Sequence, residues 1–268
     1  MLTEVAHVIG DRLGRQSGVI SALQPVYARY LNAVCGRRGL PWHVNGERLR
    51  IHPSTRHLLP HENEPALFAF LREQVQPGQV VLDIGAFLGT YAILEARRVG
   101  PQGRVLAFEP SPSTFMLLQR HLTMNGLRTP QAEARCAAVG AATGERQLMT
   151  WDDEPYRNQV APAGVAGVPV VAVTLDDVMR GEDRLPDWIR MDVQGQEFEV
   201  LRGARELLHA TRGRLRLVVE THPEQWPDYG VEPRDAAEVF ASFGLRARPL
   251  VPGEPLFTQS GHVLLEAD

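Results

Sequence analysis

One stretch constrains this chain more than any other. Val80-Val-Leu-Asp-Ile84 is a short apolar run between glycines, and Gly85-Ala-Phe-Leu-Gly89 follows it directly. A run with no alternate polar positions predicts a strand covered on both faces, which calls for helices on either side of a sheet. The rest of the chain supplies them in alternation. Residues 89–99 read as a helix and 104–108 as a second strand. Residues 111–125 read as a helix capped by Ser111-Pro112 and ended by Asn125-Gly126, and 132–139 as a third strand. Two extra strands fit 145–151 and 168–175. Strands at 188–192 and 215–220 flank a helix at 197–208, and a helix at 236–243 precedes short strands at 245–250 and 262–265. Strands alternating with helices define an α/β domain with a mostly parallel sheet.

Ahead of this lies a different pattern. Val5, Val8, Ile9 and Leu13, then Val19, Ile20, Leu23, Val26, Tyr27 and Tyr30, recur at helical spacing across residues 1–40. A turn-rich stretch follows, in which Glu47–His52 alternates like a short strand. Asn63-Glu64-Pro65 then reads as a cap with proline at the first helical position, opening a helix over 66–75. An apolar helical N-terminus offers a homodimer surface.

Composition removes several chemistries. All 28 basic residues are arginine, so a P-loop lysine, a Schiff-base lysine and a pyridoxal lysine are excluded together. The formal net charge of −4 gives no basic footprint for nucleic acid or an acidic membrane. No apolar run approaches the ~18 residues of a membrane span. The charged residues Glu4, Asp11, Arg12 and Arg15 do not suit a secretory signal. Cys35 and Cys136 fit no metal spacing and are expected to be buried thiols of a cytoplasmic protein.

In a sheet of this kind, ligands bind beyond the carboxyl ends of the strands at the switch point. The turn after the first strand spaces its glycines as Gly-x-x-x-Gly, which lacks the close backbone approach of a pyrophosphate cradle. It suits a nucleoside without phosphates. Glu109, 26 positions beyond Asp83, follows the second strand and can accept both ribose hydroxyls.

These residues also carry a resemblance. Val81-Leu-Asp-Ile-Gly-Ala-Phe-Leu-Gly-Thr-Tyr91 and Gly103-Arg-Val-Leu-Ala-Phe-Glu-Pro-Ser111 resemble the donor sites of class I S-adenosylmethionine-dependent methyltransferases. Ile189-Arg-Met-Asp-Val-Gln-Gly-Gln-Glu-Phe-Glu-Val-Leu-Arg-Gly-Ala204, with Val219-Glu-Thr-His222 after it, is similar to the signature of the FkbM-like methyltransferases. The resemblance spans about residues 50–250. It implies a Rossmann-like seven-stranded twisted sheet over 61–268, with residues 1–60 as a helical N-terminal appendage. It implies methyl transfer from S-adenosylmethionine to a hydroxyl of a sugar, glycan or natural product. The alternatives are N- or carboxyl-methylation, or a non-catalytic nucleoside-binding scaffold. Carried over by position, Gly85, Ala86 and Gly89 bound the methionine part of the donor and Asp83 helps hold its ammonium. Glu109 with Pro110 takes the ribose, and Ala138 and Val139 border the adenine. Two departures stand out: Phe87-Leu88 replaces a frequent Asn-Ile, and Gln194 stands where the family usually has Glu.

On the acceptor side a hydroxyl must shed its proton as the new bond forms, which calls for a base or a divalent ion. Asp192, Glu220 and His222 follow the fourth and fifth strands. His222 is the expected base, with the ordinary imidazole pKa near 6.5, and Asp192 and Glu220 organise the acceptor. Magnesium held by Asp192 and Glu220 is the less favoured alternative, weakened by Gln194. Glu197 is read as serving the dipole of its helix. Glu64 and His61 are read as a cap that could also close over the donor, and Trp151, Tyr156, Asn158 and Trp226 as loop residues near the acceptor.

Overall fold

The computed structural model describes Val26 and residues 29–31, 33–211 and 213–267. The expected helix over residues 1–40, and the dimer surface placed on it, therefore lie largely outside the described residues. The chain divides into two compact units between His61 and Glu62. In the first unit, β1 (Leu40–Val44) and β2 (Glu47–Ile51) form an antiparallel hairpin across Asn45-Gly46. Both turn residues have positive φ, 48° and 82°, as a two-residue hairpin turn demands. The sequence shows β2 through its alternation; β1 is masked by Pro41.

The second unit opens with α1 (Pro65–Gln74) and is built on β3 (Val80–Ile84), whose five residues are all buried. The elements that follow are α2 (Thr90–Val99), β4 (Arg104–Phe108), α3 (Pro112–Met124) and β5 (Ala132–Arg135). Next come β6 (Ala138–Val139), β7 (Gly144–Met149), β8 (Gln159–Val160), β9 (Val168–Val173) and α4 (Leu175–Arg180). The chain closes with β10 (Trp188–Met191), α5 (Glu197–Arg202), α6 (Arg205–Thr211), β11 (Arg216–Thr221), α7 (Ala236–Ala241), β12 (Leu245–Pro249) and β13 (Gly261–Ala267).

Seven strands form the main sheet in the order β12-β13-β11-β10-β3-β4-β5. Every pairing from β11 to β5 is parallel, and β13 alone runs against its neighbours. The chain enters at the centre with β3, winds outward through β4 to β5, then returns to β10 on the other side of β3. The switch point is therefore the β3–β10 pair, with Ile84 level with Met191 and with Phe108 of β4. The residues just past these strand ends share one edge of the sheet.

Three expectations are refined. The third strand does not run through 132–139. It breaks at Cys136-Ala137, and β6 leaves for a second, four-stranded sheet ordered β6-β9-β7-β8. The helix expected over 197–208 is two helices, because at Gly203 an added Cβ would stand 2.1 Å from the Gly140 carbonyl oxygen. The close approach dictates glycine there, and the first of the two helices ends at this residue. The cysteines are not buried: Cys35 is half-buried, and Cys136, at the strand break, is exposed. No helix among the described residues is long and apolar enough to cross a membrane.

Candidate active site

The turn after β3 is tied to β4 by two hydrogen bonds, with the Gly85 and Ala86 N–H groups donating to the Phe108 carbonyl at 3.0 and 2.9 Å. Gly85 has φ 81°, and a Cβ there would stand 1.8 Å from the Asp192 carbonyl oxygen. Its need for glycine therefore arises from the end of β10, where the sequence reading placed it against the donor. Phe87 N–H donates to Glu109 Oε2 at 3.0 Å and Ser111 N–H to Oε1 at 2.9 Å. Burial raises the Glu109 carboxyl to a pKa of about 7, although both N–H groups oppose the rise.

Beside this turn lies a cavity of about 100 Å³ that opens to solvent. Gly85, Glu109, Pro110, Ala138 and Val139, which the resemblance assigns to the donor, line it together with Asp192 and Gln194. Tyr156 and Asn158 also line it. Ala86 and Gly89 lie off the cavity: Ala86 is buried beneath the turn, and Gly89 faces Leu118.

Asp83 does not reach the cavity either. It is fully enclosed, and its Oδ1 lies 3.2 Å from Arg190 Nη1. The same nitrogen donates to the Gly85 carbonyl at 2.9 Å, while Nη2 donates to Asp192 Oδ2 at 3.0 Å. The guanidinium lies over the Tyr91 ring, 4.5 Å from its centroid. Burial opposes the Arg190 charge, but Asp83 and Asp192 more than offset it and its pKa rises. Sequence reasoning passed over Arg190, although an arginine inside the apolar strand Trp188-Ile-Arg-Met191 needs buried carboxylates to be tolerated at all.

The acceptor candidates do converge. His222 Nδ1 lies 2.7 Å from Glu197 Oε1, and Trp226 Nε1–H donates to Glu197 Oε2 at 2.7 Å. Glu197 is fully buried, so it is not a solvated residue of a helix N-terminus. It is the carboxylate that fixes the His222 ring, and Trp226 holds that carboxylate instead of lining a pocket. The opposite ring nitrogen of His222 lies 3.0 Å from the Gln194 amide nitrogen, which also donates to Asp192 Oδ1 at 3.0 Å. Burial pulls the His222 pKa down, yet the hydrogen bond and charge of Glu197, with Asp192 and Glu220, push it up to about 9. This corrects the expected ordinary value.

Asp192 is held on both oxygens by Arg190 and Gln194, whereas the Glu220 oxygens lie 3.7 Å from His222 and 3.8 Å from His262. Burial and the Asp192 charge raise the Glu220 pKa to about 9. Glu64 does not cap α1 with its side chain: it has φ 43°, and its Oε2 accepts from Tyr91 O–H at 2.6 Å. His262, which the sequence reading did not single out, is paired across the sheet with Glu220. His61 belongs to the first unit and bonds the His43 carbonyl there.

A doubly wound sheet, with an apolar cavity at its switch point and a buried carboxylate after the second strand, is the framework of an S-adenosylmethionine-dependent methyltransferase. The methyltransferase FkbM domain matches residues 83–244, more than half of the chain, and the chain belongs to that family. It is 25% identical to methyltransferase sdnD of Sordaria araneosa, over 58% of this chain and 69% of that one. It is 25% identical to the hexuronic acid methyltransferase AglP of Haloferax volcanii, over 66% and 68%. Among solved structures, the methyltransferase FkbM of Methylobacillus flagellatus KT superposes with a TM-score of 0.45 at 17% identity. The overlap covers 70% of this chain and 43% of that one.

The residues fit the donor that the family implies. Glu109, at the cavity, would accept from ribose hydroxyls, and Phe108, Pro110, Ala138 and Val139 would give apolar walls for a base.

Proposed function

We propose that this methyltransferase acts on a hydroxyl oxygen, with a sugar or sugar-bearing small molecule as acceptor. The observation that carries the reading is Gln194, which lines the donor cavity while its amide bridges Asp192 and His222. The nucleoside cavity and the oriented imidazole thus meet at one side chain. When bound, S-adenosylmethionine supplies an activated methyl group, so the chain's own residues have two tasks: placing the acceptor oxygen and receiving its proton.

Glu109, Gly85, Ala138 and Val139 hold the nucleoside, and Asp192, itself fixed by Arg190, closes the far side of the cavity. Glu197 occupies Nδ1 of His222, so Nε2 is the atom that receives the proton of the acceptor hydroxyl, in the neutral ring that the raised pKa makes the major form only above about pH 9. Gln194 must yield its contact with Nε2 for this to happen. The charge that forms on the ring is stabilised by Glu197, which moves no proton of its own. Glu220, whose oxygens lie 3.7 Å from His222 and 3.8 Å from His262, beyond hydrogen-bond distance, is the carboxyl group open to an acceptor hydroxyl. A carboxylate acceptor needs no base, and the Glu197–His222 pair therefore favours a hydroxyl over it. The relative described as a hexuronic acid methyltransferase supports a sugar.

The test is incubation with S-adenosylmethionine and a panel of sugars, uronic acids and glycosides, followed by mass spectrometry and fragment analysis. A mass gain of one CH2 located on an oxygen is the expected result. Transfer only to nitrogen or to carboxylates would refute the hydroxyl reading.

A further inference from the structure

On the side of the polar cluster away from Gln194, three acceptor atoms from three elements converge. These are Glu64 Oε1 at the start of α1, Glu220 Oε2 on β11 and His262 Nε2 on β13. His262 Nε2 lies 2.8 Å from Glu64 Oε1 and 3.8 Å from Glu220 Oε2. One potential ligand atom from each residue lies within 4.8 Å of the other two. His262 Nε2 is sealed from solvent and faces Glu64 Oε1 as an ion pair at 2.8 Å without the alignment of a hydrogen bond. The other oxygen of Glu64 is occupied by the Tyr91 hydroxyl, an outer contact of the kind that fixes a ligating carboxylate.

A second triad, Asp192–Glu220–His222, shares Glu220. It is already satisfied: the Gln194 amide serves both Asp192 Oδ1 and His222 Nε2, and Arg190 holds the other Asp192 oxygen. The two triads therefore differ in what they lack. One has its hydrogen-bond donors. The other sets two carboxylates and a sealed imidazole nitrogen at coordination spacing, with no aligned hydrogen bond at that nitrogen.

We propose that Glu64, Glu220 and His262 bind a divalent ion of the borderline transition series, such as Mn2+ or Zn2+. Two carboxylates and one imidazole are not the all-oxygen set that Mg2+ and Ca2+ prefer, and no thiolate is present to select softer ions. Three protein ligands leave positions open for water or for oxygens of a bound molecule. The ion adjoins Glu220, whose other oxygen faces His222, so an acceptor with neighbouring hydroxyls can reach the metal with one and the imidazole with the other. That role rests on the hydroxyl-acceptor reading above; the binding of the ion does not.

The whole chain, stripped with chelator, is titrated with Co2+ while its visible absorption is recorded, and Mn2+ binding is followed by paramagnetic resonance. One ion per chain is expected. His262→Ala and Glu64→Gln should each weaken binding at least tenfold, and Tyr91→Phe by about 10–100-fold, the usual effect of losing an outer contact. Calorimetric binding of S-adenosylhomocysteine, unchanged in each variant, shows that the sheet is intact. His262→Gln provides a second replacement if the alanine variant does not fold. Failure of the stripped protein to bind either ion would overturn the proposal. So would binding that survives His262→Ala and His262→Gln but is lost in His222→Ala, which would place the ion in the other triad. Methyl transfer is scored separately on the sugar panel, so loss of the metal site and loss of the hydroxyl reading are distinguishable.

Discussion

Glu109 makes the donor reading quantitative. Burial raises its carboxyl from 4.5 to about 7. At about 1.36 kcal/mol per unit this is about 3.4 kcal/mol against ionisation in the empty cavity. Ribose hydroxyls donate to the ionised form, and a hydrogen bond to a charged group contributes ~1.5–3 kcal/mol. By linkage the same energy must appear as a downward pKa shift of ~1–2 units in the complex. Nucleoside affinity should therefore be flat above about pH 7. Below it, affinity should fall about tenfold per unit and level off after ~1–2 units, once the carboxyl is protonated in the complex as well. The total fall, ~10–100-fold, should equal the loss caused by Glu109→Gln, whose affinity should not vary over the same range. The assay is calorimetric titration with 5′-methylthioadenosine, which carries the ribose but no ammonium to complicate the pH series. Affinity that is constant from about pH 5.5 to 8, or a Glu109→Gln protein that keeps the pH dependence, would refute the assignment of Glu109 to the ribose.

Other outcomes follow from the same geometry. Gly85→Ala should lower stability by more than ~2 kcal/mol, because positive φ disfavours any side chain and the new Cβ meets the Asp192 carbonyl; thermal melting measures this, and a stable variant would misplace the turn. Arg190→Met should cost ~3–5 kcal/mol in denaturant unfolding by leaving Asp83 buried without its partner, and Asp83→Asn on that background should recover part of the loss. His222→Ala should lose ~10²–10⁴-fold in turnover while 5′-methylthioadenosine binds as before. Full turnover in that variant would transfer the role of base to Glu220.

Much of the main sheet was legible in the sequence because a parallel strand buried on both faces shows itself without alternation, as Val80–Ile84 and Arg104–Phe108 do. That Gly85, Glu109 and Asp192 line one cavity was legible for a related reason: they follow strand ends, and topology alone brings strand ends together. What escaped were features fixed by distance across the fold. Nothing in residues 197–208 shows that Gly203 lies against Gly140, so one helix was expected where two exist. The strand expected over 132–139 continues in sequence pattern while its hydrogen bonds change sheets at Cys136.

The same cause separates the missed site residues from those that were found. Asp192 and His222 follow their strands and Glu220 stands next to last in β11, whereas Glu197 belongs to a helix, His262 to the one antiparallel strand of the main sheet, and Glu64 to the entry of α1. A carboxylate in a first helical turn has a sufficient local explanation in the helix dipole, so local reasoning stops there. Only the fold shows that Glu197 is sealed between His222 and Trp226, where an unpartnered charge would not be tolerated. Arg190 shows that such residues have a signal after all. A charged side chain in the middle of a buried strand requires a carboxylate partner, and the neighbouring strand β3 has only Asp83 to offer. That pairing, traced forward, leads from Asp83 through Arg190 to Asp192 and Gln194, and so joins the floor of the donor turn to the acceptor imidazole through one guanidinium.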